Sequence, residues 1–290
     1  MNDAFFTGAS TALVTPFSNG KVNFNMLQQL LNRQLEAGIE AIVICGTTGE
    51  SPTLTDLEKL ELFRAAKEMV GDRCKIIAGT GSNCTAHSIG LSEAAEAAGA
   101  DGLLIVSPYY NKATNEGLVL HYSAIAAAVH IPIIAYNVPS RTGLDIPVSV
   151  YTALSAIPNI IGVKEASTDI TKISAIRANC PEFCIWSGND DQAVPVISLG
   201  GKGVISVLSN VLPMQTQAMV KAALDGDFDT AADLQIKLYP LIKLLFSEVN
   251  PIPVKAAMQI LGYDCGECRM PLTSLSSENR KKLKKVLEDF

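Results

Sequence analysis

The strongest constraint on the fold is an alternation that occurs eight times, in which a short apolar run is followed by a segment of helical periodicity. Short runs rich in β-branched residues are typical of buried parallel strands. We predict strands near 10–14, 41–45, 75–78, 102–106, 133–136, 160–164, 184–186 and 203–207. Because helices connect the strands and no linker divides the series, the sequence predicts an α/β fold, a (β/α)8 TIM barrel, over residues 1–210.

The remainder of the chain, residues 211–290, has a different pattern. We predict helices near 214–225, 228–249, 253–261 and 277–287, with no strands between them. Their apolar sides indicate a C-terminal helical region that packs on the barrel or on another subunit. Pro240 lies inside the longest segment and is expected to break or kink that helix.

Composition and charge narrow the classes of function. The net charge of −6 argues against a nucleic-acid partner. No apolar run reaches the roughly 18 residues of a membrane helix, and the first residues lack the pattern of a signal peptide. The seven cysteines include one Cys265–Cys268 pair, but the second pair that a zinc site requires is missing. We expect a cytoplasmic protein with reduced thiols, no bound metal and no membrane partner.

Lys164 stands at the end of the strand predicted over 160–164. A free lysine, with a pKa near ~10.4, is almost entirely charged at pH 7. Apolar surroundings lower the pKa to roughly 7 to 8, and the neutral amine then forms Schiff bases with carbonyl compounds. A lysine that extends to water at the strand end is the alternative on this stretch alone.

Polar residues gather at the other strand ends, where TIM barrels hold their active sites. Thr47 and Thr48 lie in a glycine-bounded turn after the second strand, Tyr136 ends the fifth, and Arg141 follows it. Taken singly, a tyrosine is usually packed in a core and an arginine is usually a surface charge. Together with Lys164 they supply the amine, proton carriers and carboxylate-binding groups that a Schiff-base reaction of an oxo-acid needs.

Two acidic groups near these strand ends are not assigned to catalysis. Glu165 follows Lys164, so its side chain should point to the opposite face, towards the helices. Residues 189–191 (Asn-Asp-Asp) could suggest a metal site, but beside a helix start they are expected to cap that helix.

These motifs resemble the dihydrodipicolinate synthase family of pyruvate-dependent class I aldolases. The resemblance runs nearly from end to end, through segments 11–17 (TALVTPF), 46–50 (GTTGE), 78–81 (AGTG), 108–111 (PYYN), 136–143 (YNVPSRTG), 161–165 (IGVKE), 187–188 (SG), 201–207 and 269–272 (RMPL). The lysine and GTTGE motifs mark the wider aldolase group. The segment that contains Arg141 is more discriminating for the synthases.

The resemblance implies that Lys164 forms an imine with pyruvate, whose enamine condenses with L-aspartate 4-semialdehyde. The product is 4-hydroxy-tetrahydrodipicolinate, a precursor of diaminopimelate and lysine. Tyr136 would transfer protons at the imine together with Thr47 and with Tyr110, which would reach across a dimer contact from a partner subunit. The resemblance also implies a homotetramer, built as a dimer of dimers, and no organic cofactor.

The resemblance implies four substrate-binding residues as well. Thr48 would hold the carboxylate of pyruvate, and Arg141 the carboxylate of the semialdehyde. Gly188 and the carbonyl group of Ile205 would line the site.

One part of the family pattern differs here. Ser51, Asn83 and Tyr109 match the pocket at which lysine inhibits some relatives, but Lys59 and His87 replace a histidine and a carboxylate. A cation that faces an ammonium ligand repels it. We therefore predict weak or absent feedback inhibition by lysine.

Two alternatives to the synthase stay open from the sequence. A sibling aldolase, such as N-acetylneuraminate lyase or a 2-keto-3-deoxy sugar acid aldolase, would share the lysine and the threonine turn. A non-catalytic barrel is the other, and the joint presence of Lys164, Tyr136 and Arg141 argues against it.

Overall fold

The computed structural model describes residues 4–290, and eight parallel strands in it form a closed barrel. The strands are β1 (Gly8–Ala12), β2 (Ala41–Ile44), β3 (Lys75–Gly79), β4 (Gly102–Val106), β5 (Ile133–Asn137), β6 (Ile160–Glu165), β7 (Cys184–Ser187) and β8 (Gly203–Ser206). Each strand pairs with its neighbours in sequence, and β8 pairs with β1. The predicted TIM barrel is confirmed, with strand ends close to those expected.

Helices follow the strands in the expected alternation. They are α1 (Phe24–Glu36), α2 (Asp56–Val70), α3 (Thr85–Ala97), α4 (Asn115–Ala128), α5 (Val148–Leu154), α6 (Thr171–Asn179), α7 (Ala193–Ser198), α8 (Pro213–Leu224), α9 (Phe228–Leu245), α10 (Ile252–Ile260) and α11 (Ser277–Leu287). A four-residue helix, Pro139–Thr142, and a two-stranded hairpin, Phe17–Ser18 with Lys21–Val22, were not predicted.

The barrel has two apolar cores because successive strand residues point to opposite faces. Along β2, Ala41 and Val43 belong to the cluster inside the barrel, whereas Ile42 and Ile44 belong to the cluster shared with the helices. This alternation explains why the strands read as continuous apolar runs: both faces are buried.

Local sequence signals set two of the helix starts. The Asn23 side chain accepts a hydrogen bond from the backbone of Met26 at the start of α1. Thr55 and Glu58 form the reciprocal bonds of a capping box at the start of α2, as the sequence predicts.

The capping role predicted for residues 189–191 is wrong. Asn189 makes no side-chain cap bond there. Asp190 is buried, and its Oδ2 accepts hydrogen bonds from the backbone N–H groups of Val207 and Leu208, each at 3.0 Å. Val207 and Leu208 lie beyond the last residue of β8, where strand pairing has ended. The Asp190 carboxylate accepts their hydrogen bonds and so connects the segment after β7 to the segment after β8.

The C-terminal helices pack against the barrel and reach its carboxyl-terminal rim. Helix α9 continues through Pro240 to Leu245, so the expected break does not occur. Residues between 250 and 269 contact the turn after β2. Within residues 4–290, no helix combines the length and the apolar character that crossing a bilayer requires.

Candidate active site

Lys164 and Tyr136 form the centre of the site. They are register partners on β6 and β5, and their side chains point into the barrel. The Lys164 Nζ atom lies 4.4 Å from the centroid of the Tyr136 ring, and the two residues are only 5% and 6% exposed. No side chain or carbonyl within residues 4–290 forms a hydrogen bond or an ion pair with this Nζ. A buried, unpaired amine beside a phenol is the arrangement that imine chemistry needs.

Gly188, at the end of β7, leaves the space that Lys164 occupies. A Cβ atom at this position would lie 3.1 Å from Lys164 Cε and 2.5 Å from the Cβ of Ala166. Any larger residue would therefore displace the lysine or the loop after it. Ile205 is fully buried on β8 and belongs to the cluster inside the barrel.

The turn after β2 presents unpaired backbone donors. Backbone hydrogen bonds close the turn from Gly49 N to Gly46 O and from Glu50 N to Thr47 O, each at 3.1 Å, and from Ser51 N to Gly46 O at 3.4 Å. The N–H groups of Thr47 and Thr48 donate to no acceptor within the described chain. Consecutive free N–H groups in a turn are suited to binding an anion such as a carboxylate.

Asn250, which precedes α10, connects the two groups predicted to bind carboxylates. Its Nδ2 donates to the Thr48 hydroxyl at 3.0 Å, and its backbone carbonyl accepts from Arg141 Nη2 at 3.1 Å. Because Thr48 Oγ1 accepts from Asn250, its own proton is free to be donated to a ligand. Sequence reasoning missed this residue, since nothing near position 250 resembles a motif.

A buried ion pair supports the same turn. Glu50 has a positive φ of 58°, which is uncommon for a residue other than glycine. Its Oε1 lies 2.7 Å from Lys255 Nζ, and its Oε2 accepts from the backbone of Arg269 at 2.8 Å. The side chains of Glu50 and Lys255 are 1% and 3% exposed, so this pair is shielded from water.

A cavity of about 710 Å³ opens beside these groups. Its lining includes Thr47, Tyr136 and Arg141, which the sequence predicted to act together. It also includes the five residues of the predicted effector pocket: Ser51, Lys59, Asn83, His87 and Tyr109. The cavity lining does not include Lys164, Thr48, Gly188, Ile205 and Tyr110. Of these, Lys164 is next to the cavity through its contact with Tyr136.

The predicted effector pocket contains a carboxylate that the sequence did not indicate, that of Asp56. Asp56 Oδ2 lies 2.9 Å from His87 Nε2, and Oδ1 lies 3.6 Å from Lys59 Nζ. The hydrogen bond to His87 lowers the pKa of Asp56 below its ordinary value. The pocket thus has an acidic group, but two basic side chains already contact it.

Tyr110 is separate from the rest of the site. Its side chain is 91% exposed, and its φ is 72°, in the left-handed region. A large aromatic side chain held so far into solvent does not contribute to the cavity of its own chain. Within residues 4–290, no group of three His, Cys, Asp or Glu side chains is arranged to hold a metal ion.

Comparisons with known proteins agree with one another. The sequence model of the "Dihydrodipicolinate synthetase family" matches residues 5–290. A relative from Caldicellulosiruptor bescii, named 4-hydroxy-tetrahydrodipicolinate synthase, is 50% identical over 288 residues, which are 99% of this chain and 98% of the relative.

Two solved structures are similar over almost their whole length. The dihydrodipicolinate synthase of Aquifex aeolicus has a TM-score of 0.97 and 44% identity, and the match covers 98% of each chain. A structure described as the first monomeric dihydrodipicolinate synthase variant has a TM-score of 0.96 and 40% identity, covering 98% of this chain and 97% of that one.

Proposed function

Because the chain belongs to the dihydrodipicolinate synthetase family, we propose that it performs the reaction of that family through an imine on Lys164. It is a lyase that condenses pyruvate with L-aspartate 4-semialdehyde to 4-hydroxy-tetrahydrodipicolinate, a step of diaminopimelate and lysine biosynthesis. No observation favours a sugar-acid aldolase.

The Lys164 amine attacks the C2 carbonyl of pyruvate, and the carbinolamine loses water to give the imine. Loss of a C3 proton gives the enamine, whose C3 forms a bond to the aldehyde carbon of the second substrate. The amino group of that substrate then attacks C2, closes the ring and releases the Lys164 amine. Tyr136, whose ring contacts the amine, is assigned as the proton carrier for these steps.

Thr47 and Tyr110 complete the proton path in this proposal. Thr47 lines the cavity beside Tyr136. The exposure of Tyr110 fits a role in the site of a second copy of the chain, as in the predicted dimer of dimers. A similar structure is a monomeric variant, so the mass of the assembly in solution has to be measured.

The two carboxylates of the substrates are assigned to different groups. The pyruvate carboxylate accepts hydrogen bonds from the Thr48 hydroxyl and from the N–H groups of the turn, and Arg141 binds the carboxylate of the semialdehyde. Gly188, which lies against the Lys164 side chain, and the carbonyl of Ile205 are assigned to the surroundings of the imine, although neither lines the cavity beside Tyr136. No organic cofactor takes part, because the protonated imine itself withdraws electrons from C3. A cytoplasmic location stays a prediction.

We also propose that lysine inhibits weakly or not at all. An ammonium ligand in the predicted effector pocket would have to compete with Lys59 and His87 for the carboxylate of Asp56. Inhibition at sub-millimolar lysine in a steady-state assay would contradict this proposal.

The contact between the unpaired Lys164 amine and the Tyr136 ring carries the proposal, and borohydride trapping tests it. Incubation with pyruvate and borohydride should add one reduced pyruvate per chain, located on Lys164 by peptide mass mapping. Lys164→Met should abolish the adduct, whereas Lys59→Met, which changes a lysine in the lining of the same cavity, should preserve it. Label on another lysine, or none, would refute the mechanism. The wild-type enzyme should then consume aspartate semialdehyde but no sugar acid.

A further inference from the structure

The residues that immediately follow Tyr136 and Lys164 are also register partners. Asn137 and Glu165 pair on β5 and β6 one position beyond the amine and the phenol. Because the direction of side chains alternates along a strand, both point away from the barrel interior, into the helix layer. This confirms the orientation predicted for Glu165.

The Glu165 carboxylate has three hydrogen-bond donors around it. Oε1 accepts from Asn137 Nδ2 and from the backbone of Ser167, each at 2.8 Å. Oε2 accepts from the Tyr151 hydroxyl at 2.9 Å. Burial, followed by the charge of Glu165, raises the pKa of Tyr151 well above its ordinary value, so the phenol remains a donor.

Asn137 and Lys172 extend these contacts. Asn137 Nδ2 also donates to Asp145 Oδ1 at 2.7 Å. The Oδ1 atom of Asn137 accepts a hydrogen bond from the backbone N–H of Ile146 at 3.1 Å. Lys172 forms an ion pair with Asp145, and its Nζ lies 3.7 Å from Glu165 Oε2.

We call Asn137, Asp145, Tyr151, Glu165 and Lys172 the brace. Apart from Asp145, its members are buried. Asn137 and Glu165 each form hydrogen bonds at both terminal side-chain atoms, so the brace connects the two strand ends to each other and to the helix layer.

We propose that Glu165 is a positioning residue, which through Asn137 fixes the distance between the Lys164 amine and the Tyr136 phenol on the other side of the strands. The proposal rests on the proposed function, because it concerns the imine at Lys164. Proton transfer requires hydrogen-bond geometry, and a displacement of about 1 Å can reduce a rate about 100-fold. A buried carboxylate bonded across two adjacent strands is placed to prevent such a displacement.

The positioning role of Glu165 is tested by Glu165→Gln, which preserves the side-chain volume and replaces one acceptor oxygen with an NH2 group. In one orientation the glutamine NH2 group faces two donors, Asn137 Nδ2 and the backbone N–H of Ser167. In the other it donates to the Tyr151 hydroxyl, whose own proton then loses its acceptor. Either way a buried donor of the brace loses its acceptor, which weakens the connection between the two strand ends. We expect the exchange of the C3 protons of pyruvate with D2O, followed by NMR, to slow about 10- to 100-fold.

A second readout separates positioning from simple loss of folding. Lys164 is intact in Glu165→Gln, so borohydride at saturating pyruvate should still trap every chain. The KM for pyruvate should change less than threefold. A variant that is only partly folded would lose trapping and exchange in the same proportion. Glu165→Gln combined with Tyr151→Phe should be no slower than Glu165→Gln alone.

Asp101→Asn is the matched control. Asp101 is another carboxylate that holds a strand, with Oδ2 accepting from Ile76 N at 2.8 Å and Oδ1 lying 3.1 Å from Lys67 Nζ, but at the amino-terminal end of the barrel. In Asp101→Asn, the rate of C3 proton exchange divided by the fraction of chains trapped should equal that of wild type.

The outcomes are distinct. Exchange in Glu165→Gln within twofold of wild type, or an equal loss in Asp101→Asn, would overturn the positioning role. Proportional loss of trapping and exchange would do the same. If wild type itself is not trapped on Lys164, the proposed function fails rather than this inference.

Discussion

Two parts of the active site are held in place by different regions of the chain. The turn that presents Thr47 and Thr48 is bonded to residues from the C-terminal region: Asn250, Lys255 and Arg269 contact it across sequence separations of 202, 205 and 219 residues. The ends of β5 and β6 are bonded locally, by a brace whose hydrogen bonds span 8 to 28 residues.

The two regions also support different steps of the proposed reaction. Lys164 and Tyr136, which are proposed to form and protonate the imine, end strands that Tyr151 of α5 and Lys172 of α6 contact from the helix layer of the barrel. The groups assigned to the pyruvate carboxylate depend on residues beyond 210 for their support. The helical region is therefore more than a covering of the barrel, and residues 1–210 alone would lack the partners of the turn.

The largest expected effect comes from Lys255→Met. Removing this cation leaves the buried Glu50 carboxylate without a counterion, which costs about 3–5 kcal/mol of unfolding free energy. Lys172→Met is the matched change in the brace, and its cost should be smaller because Asp145 is largely exposed and Glu165 keeps three donors. Urea denaturation measures both, and equal losses would contradict the comparison.

Tyr151→Phe should have the next largest effect. Among residues 4–290, it removes the only donor within hydrogen-bonding distance of Glu165 Oε2, and such a loss at a buried carboxylate costs about 1–3 kcal/mol. Tyr122→Phe is the control, since the Tyr122 hydroxyl donates to a neutral carbonyl, that of Ile105, at 3.0 Å. Thermal denaturation of the two variants should show the larger decrease for Tyr151→Phe. The reverse order would indicate that the brace adds no stability beyond an ordinary hydrogen bond.

Asn250→Ala should act on binding more than on folding. It removes the donor to Thr48 but preserves the backbone carbonyl that binds Arg141. The KM for pyruvate should rise about five- to tenfold, equivalent to about 1 kcal/mol, with a smaller change for the semialdehyde. Asn279→Ala, also in the C-terminal region but bonded to Glu248, should leave both KM values unchanged. Equal increases for the two substrates would show that Asn250 supports both groups alike.

The smallest expected effect is on the pH dependence of stability, through the ion pair between Glu58 and Arg269. The guanidinium of Arg269 lowers the pKa of Glu58 from 4.5 to about 2. Because the folded-state pKa is lowered, the stabilisation is present above about pH 4.5 and is lost as the pH falls towards 2. The difference in thermal midpoint between wild type and Glu58→Gln should shrink over this window. A constant difference would mean that the charge of Glu58 contributes nothing.

Much of the site could be predicted from the sequence because its residues follow strands. Lys164, Tyr136 and the Thr47–Thr48 turn end apolar runs, and parallel strands bring their carboxyl ends together without further information. Asn250, Asp56 and Lys255 could not be found in this way. They lie on or beside helices, where the pattern fixes which face is apolar but not which residue of another element the polar face meets.

The sequence by itself determined the barrel, the strand that carries the amine and the family of reaction, since these depend on periodicity and on motifs that are local in the chain. Only the tertiary structure decided which distant groups support the site: Asn250 and Lys255 behind the turn, Asp56 between the side chains of Lys59 and His87, and Asp190 joining two strand ends. The physical reason is that a buried polar group must be paired, and its partner is set by packing across the fold rather than by neighbours in sequence.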